Sequence, residues 1–150
     1  MAILIIAVGL LVDRITKLWA SNSLSGSSEI TVIKNFFSFF YVENKGAAFS
    51  ILEGKTVFLS AFTIIILVCI VVYLVKYKPN KFVKVSLSFI VGGALGNLID
   101  RIKYGYVVDF ISVHYKDAYY FPIFNVADIM VVAGTLLLVV CLLKDEKYGN

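Results

Sequence analysis

Four long apolar stretches divide the chain: Ala2 to Val12 running on toward Trp19, Val57 to Val75, Val83 to Ile99, and Val126 to Leu143. Each approaches the roughly 20 residues that an α-helix needs to cross a hydrocarbon core of about 30 Å. Asp13, Arg14 and Lys17 interrupt the first. No positive n-region precedes it and no small-residue cleavage pattern closes it, so a helix is expected there and not a cleaved signal peptide. After it, Ser-rich turn chemistry at Ser21 to Ser28 gives way to β-branched and aromatic runs, Ile30 to Ile33 and Phe36 to Val42. These predict short strands in a small sheet. The pattern therefore predicts an all-α membrane protein of four transmembrane helices with a small extracytoplasmic β-sheet. It reads as one integral membrane domain over residues 1–150, with spans at about 2–19, 57–75, 83–99 and 126–143.

Composition agrees. The hydrophobic fraction is 60% and the mean hydropathy +0.90, above the roughly 45–50% apolar content of soluble domains, and the excess must face lipid. The net charge of +4 does not point to nucleic acid, because the basic residues form no stripe interleaved with aromatics. Their pattern is topological. The link between the second and third spans carries Lys76, Lys78, Lys81 and Lys84 with no acid, and the C-terminal tail adds Lys144 and Lys147 beside Asp145 and Glu146. The positive-inside rule places both segments in the cytoplasm, the N-terminus with them, and residues 20–55 and 101–125 outside. The tyrosines of the second outer segment, Tyr104, Tyr106, Tyr115, Tyr119 and Tyr120, suit a membrane–water interface. Cys69 and Cys141 lie in apolar runs and read as small buried hydrophobes. No internal repeat supports an inverted-repeat transporter.

Polar groups within such segments are costly and mark function. Asp13 and Lys17, four apart, share a helix face and can pair; alone, this is equally a structural ion pair. The third span ends Gly92-Gly-Ala-Leu-Gly-Asn-Leu-Ile-Asp-Arg101, where Gly92 and Gly96 admit a neighbouring backbone. Asn97 and Arg101 then point one way. In Phe124-Asn-Val-Ala-Asp128, Asn125 also reads as an N-cap and Asp128 as a charge favoured by the helix dipole. Asp109 sits alone at the centre of the apolar run Val107 to Ile111, where a carboxylate needs a partner or a raised pKa. The topology gathers all of these near the outer membrane face, as a site would, whereas separate anchors would spread over both faces.

No G-x-S-x-G is present, His114 is the only histidine, and no His, Cys or Glu set has metal-ligand spacing. Asp109 and Asp128 remain. Two carboxyls sharing one proton can activate water as general base and protonate a leaving group as general acid, the chemistry of an aspartic protease. A proton-coupled carrier instead predicts acids distributed through the membrane depth, and a structural membrane partner predicts that both aspartates are replaceable.

Five motifs in order resemble those of lipoprotein signal peptidase, signal peptidase II. They are Asp13-Arg-Ile-Thr-Lys17, Asn44-Lys-Gly-Ala-Ala-Phe49, Gly96-Asn-Leu-Ile-Asp-Arg101, Val108-Asp-Phe110 and Phe124-Asn-Val-Ala-Asp128. The resemblance implies that Asp109 and Asp128 are a catalytic dyad, and that Asn44, Gly46, Asn97, Arg101 and Asn125 bind substrate or orient the dyad, with Asp13 and Lys17 in support. It implies an extracytoplasmic β-cradle within residues 20–55 and a lid from the loop before Asp109 to about Tyr120. The implied substrate is a diacylglyceryl-modified prolipoprotein in the bacterial cytoplasmic membrane, cut before its lipidated cysteine by a monomer with no metal or cofactor. If the topology holds, a cysteine placed at Ser25 reacts with a membrane-impermeant reagent added from outside, and one placed at Lys78 does not. The reverse pattern would overturn it.

Overall fold

The computed structural model describes residues 1–26, 29–46, 52–116 and 118–148, the last four of these by backbone alone. Residues 47–49 of the Asn44–Phe49 motif and Ser27 and Ser28 of the Ser-rich turn lie outside the described residues. The elements run α1 (Ala2–Ser23), β1 (Ile30–Ile33), β2 (Phe37–Asn44), α2 (Thr56–Tyr77), α3 (Lys81–Tyr104), β3 (Val107–Tyr115), β4 (Tyr119–Tyr120) and α4 (Val126–Tyr148). All four expected helices form, each longer than its apolar run. Asn80 caps α3 by accepting the Val83 N–H at 3.0 Å, and Gly105, in the left-handed region at φ 79°, closes it.

Three helices, α2, α3 and α4, are long and apolar enough to cross a membrane. Only 6% of the α2 window is buried by the rest of the chain, against 56% for α3. A helix apolar on all sides and left uncovered by protein has lipid as its complement, so α2 is a peripheral span and α3 the central one. Cys69 follows from this: it is free but exposed on the protein surface, and Cys141 is half-buried, because α2 and α4 turn most of their surface outward. α1 carries three charges, yet it buries Asp13, Lys17 and Ala20 while Ile3, Leu4, Val8, Leu11, Ile15 and Leu18 stay exposed. Its polar stripe is internal and its outer flank apolar.

The bundle closes on small residues. A Cβ added to Gly93 would lie 2.2 Å from the carbonyl oxygen of Ala127, and one on Gly134 would lie 2.6 Å from that of Ser86, so α3 and α4 touch backbone to backbone. Gly92 and Gly96, the pair singled out from sequence, face Ile6 and Met130, and Asp13 and Ala127, respectively. The closest approach thus sits one residue off the expected pair.

Above the bundle, the strands form an antiparallel sheet in the order β1-β2-β3-β4. β1 and β2 fall where the alternation predicts them. β3 and β4 are not expected from sequence, because an apolar run broken only by Asp109 offers no period-two signal and the segment after it reads as a lid loop. Val42 pairs with Asp109 and Asn44 with Val107, across an irregularity between Phe39 and Val42. Phe124 adds a single bridge to Ile111, with mutual backbone bonds of 2.8 and 3.1 Å. The sheet rests on the end of α1 through Ala20, Leu24, Val108 and Phe110. Trp19 meets the Phe39 and Phe110 rings edge-on at 5.1 and 6.1 Å.

Because the atom nearest a Cβ at Gly93 is a backbone oxygen that cannot swing aside, Gly93→Ala is expected to lower stability by about 1–3 kcal/mol through overpacking. Its thermal melting in detergent would fall clearly below wild type, and an unchanged midpoint would contradict the packing described.

Candidate active site

Five elements deliver the singled-out residues to one end of the bundle. β3 carries Asp109, buried, and β2 brings Asn44 alongside it on the same face two residues beyond the Val42 pairing. The Asn44 side chain donates from Nδ2 to Asp109 Oδ2 at 2.8 Å, and its own Oδ1 accepts the Gly46 N–H at 2.9 Å. The Phe124 bridge to Ile111 ties the start of α4 to β3 and so sets Asn125 and Asp128 beside Asp109.

Asn125, wholly buried, touches both aspartates. Its Nδ2 donates to Asp109 Oδ1 at 2.6 Å and its Oδ1 accepts the Asp128 N–H at 2.9 Å. Its backbone N–H donates to Asp128 Oδ2 at 3.1 Å, the reciprocal arrangement of a capping box. The N-cap reading of Asn125 therefore holds, and the same side chain also reaches Asp109. Asp128 Oδ1 accepts from Asn97 Nδ2 at 2.7 Å. Asn97 Oδ1 in turn accepts from Asn125 Nδ2 at 3.1 Å and from Lys17 Nζ at 2.9 Å. Arg101 stands at the edge and donates from Nη2 to the Gly46 carbonyl at 3.2 Å.

Lys17 and Asp13 do pair, at 3.0 Å, and Asp13 Oδ1 accepts the Ala127 N–H at 3.0 Å. Two further residues complete this layer. Asp100, fully buried, pairs with Lys17 at 2.8 Å and with Arg14, and its Oδ2 accepts the Val108 N–H at 3.3 Å. Neither Asp100 nor Arg14 belongs to the site expected from sequence, although both stand inside the motifs quoted for it. Charges placed within an apolar segment require partners, and that signal identifies them.

Burial, and then repulsion from Asp128, push the Asp109 carboxyl up to about 7, against the lowering effect of the Asn44 and Asn125 amides and of Lys17. The Asp109 carboxyl thus keeps its proton to near-neutral pH. Among the described residues no group of His, Cys, Asp and Glu could hold a metal ion. His114 lies away from the carboxyls, stacked on Tyr120 at 4.9 Å. All nine residues expected to form the site come together in this one network, from Asp13 on α1 to Asp128 on α4.

Known proteins resemble the chain along its whole length. A family model described as signal peptidase (SPase) II matches residues 5–144. The chain is 56% identical over 148 residues to a lipoprotein signal peptidase of Clostridium novyi, covering 98% of this chain and 100% of that one. It is 55% identical to a lipoprotein signal peptidase of Clostridium acetobutylicum, with 98% and 97% coverage. A bacterial membrane enzyme solved by the in meso method has a similar fold, with a TM-score of 0.89 at 37% identity, over 99% of this chain and 91% of that one. Sequence and fold agree from one end to the other, and the chain belongs to the signal peptidase II family.

Proposed function

We propose that the protein is an intramembrane aspartic endopeptidase that removes signal peptides from diacylglyceryl-modified prolipoproteins, cleaving just before the lipidated cysteine. Family membership implies removal of signal peptides from prolipoproteins. The aspartic mechanism rests chiefly on Asn125, which binds Asp109 through its side-chain amide and Asp128 through both its backbone and its side-chain oxygen. One residue thereby holds two carboxyls at one place, as a shared-proton dyad requires. The ionised carboxyl takes a proton from a water whose oxygen attacks the scissile carbonyl; the protonated carboxyl then donates to the leaving amine as the C–N bond breaks. Asn44, Gly46, Asn97 and Arg101 bind the substrate backbone or orient the dyad, with Asp13 and Lys17 behind them, and no metal or cofactor takes part.

The substrate's acyl chains remain in the leaflet, so the site has to open near the membrane surface where water reaches it. In this reading the single domain lies in the bacterial cytoplasmic membrane as a monomer, with both termini cytoplasmic and the site near the outer face. α1 is the fourth crossing, a role supported by its apolar outer flank. Strands β1 and β2 are the cradle within residues 20–55, and the stretch from the loop before Asp109 to about Tyr120, expected as a lid, instead forms β3 and β4 of the same sheet.

Replacing Asp109 or Asp128 by Asn is expected to abolish cleavage of a lipidated prolipoprotein in detergent or liposomes, and the unlipidated precursor is expected to be a poor substrate for the wild type. Ionising Asp109 costs stability as pH rises from the ordinary carboxyl range toward about 7. The neutral amide of the D109N variant carries no such cost, so that variant melts no lower than wild type at pH 8. Rates within a few-fold of wild type for either variant would sink the dyad, and equal rates on both precursors would sink the lipid requirement.

Asn44 sets the pH range. Its amide favours the ionised form of Asp109, so Asn44→Ala raises that pKa further and moves the basic limb of the pH–rate profile to higher pH. A limb that stays in place or moves down would show that Asp109 is not the group titrating there.

A further inference from the structure

The buried charges behind the dyad are more than an ion-pair layer between helices. Asp13 on α1 accepts the N–H of Ala127, the residue immediately before Asp128. Asp100 on α3 accepts the N–H of Val108, the residue immediately before Asp109. One ammonium, that of Lys17, lies 3.0 Å from Asp13 Oδ2 and 2.8 Å from Asp100 Oδ2. Its remaining contact is Asn97 Oδ1 at 2.9 Å, which leaves the Asn97 amide nitrogen to meet Asp128 at 2.7 Å. Three oxygens therefore surround the ammonium, that of Asp13 as an ion pair without hydrogen-bond geometry.

We infer that Lys17 with Asp13 and Asp100 forms a positioning clamp whose two carboxylate jaws hold the backbone beside each dyad aspartate and so set the distance between Asp109 and Asp128. The inference rests on the dyad reading above. With Arg14 on the outer side of Asp100, the set carries two positive and two negative charges. It therefore adds no net charge at the dyad and acts through position. Asp13, Lys17 and Asp100 are each at most 1% exposed, so water cannot substitute for a displaced jaw. A mere tie between helices would need the ion pairs and not the two backbone acceptor bonds, whereas the clamp needs both.

Lengthening a jaw by one methylene, in Asp100→Glu or Asp13→Glu, separates the two predictions because every charge is retained. A longer jaw pushes its backbone away from Lys17 and parts the dyad. The charged groups acting on Asp109, namely Asp128 from α4, Lys17 from α1 and Arg101 from α3, are unchanged in kind, while the repulsion from Asp128 weakens with distance. In the cleavage assay, with rates normalised to folded protein, each variant is expected to lose kcat by roughly tenfold or more with KM within about two-fold. Its basic pH limb moves to lower pH. Arg14→Gln, which breaks the outer pair and spares both jaws, is expected to lower the melting temperature and leave kcat and KM of the folded fraction in place. The second jaw variant keeps the test open should one fail to fold. If D100E or D13E retains kcat and the pH limb, or if loss of rate simply follows loss of melting temperature in all three, the clamp is refuted. The D109N and D128N variants run alongside: activity in those would overturn the dyad itself, and the clamp with it.

Discussion

Lys17 carries its ammonium to a place where it is 1% exposed, inside a protein whose outer surface is largely apolar. Removing an ion from water costs several kcal/mol even after relaxation, and only close partners with good geometry offset it. The offset here comes from Asp13 on the same helix, from Asp100 and Asn97 on α3, and, beyond Asp100, from Arg14. These groups satisfy one another only when α1 and α3 lie side by side with their polar stripes facing. The apolar flank of α1 is a consequence: the charges that make it a poor transmembrane helix by composition are turned inward.

That buried polar layer also decides where the sheet and α4 can sit. Asp13 and Asp100 each have one further acceptor position, and the chain fills them with backbone N–H groups of Ala127 and Val108. Small residues permit the approach. A side chain at Gly96 would meet Asp13 Oδ2 at 2.6 Å, and a side chain at Gly93 would force α4 outward. Close packing and polar satisfaction are therefore the same requirement at this end of the bundle, since the hydrogen bonds form only at the interaxial distance that glycine allows.

The dyad reading fits this architecture because it draws its two carboxyls from unlike elements. Asp109 comes from a strand held by β2 on one side and by Phe124 on the other, and Asp128 from the first turn of a helix. Rigid elements supported from behind keep reacting groups within the narrow tolerance that catalysis needs. The same burial that raises the Asp109 pKa strengthens its repulsion from Asp128.

Much of this protein was written locally. Runs of apolar residues near bilayer length determined the helices, period-two alternation determined β1 and β2, and polar residues stranded in apolar surroundings marked the site, because each signal depends on neighbours a few residues apart. Strand β3 was not legible, since a strand buried on both sides loses its alternation. The exposure of Cys69 was not legible either, because whether lipid or protein covers an apolar helix depends on its neighbours in space. Asp100 and Arg14 were visible as charges, but nothing local says that Asp100 reaches both Lys17 and the backbone before Asp109. Partners separated by 80 residues or more, such as Lys17 with Asn97 and Arg14 with Asp100, are chosen by packing. Tertiary structure decided them because a buried charge takes whatever partner the fold brings within about 3 Å.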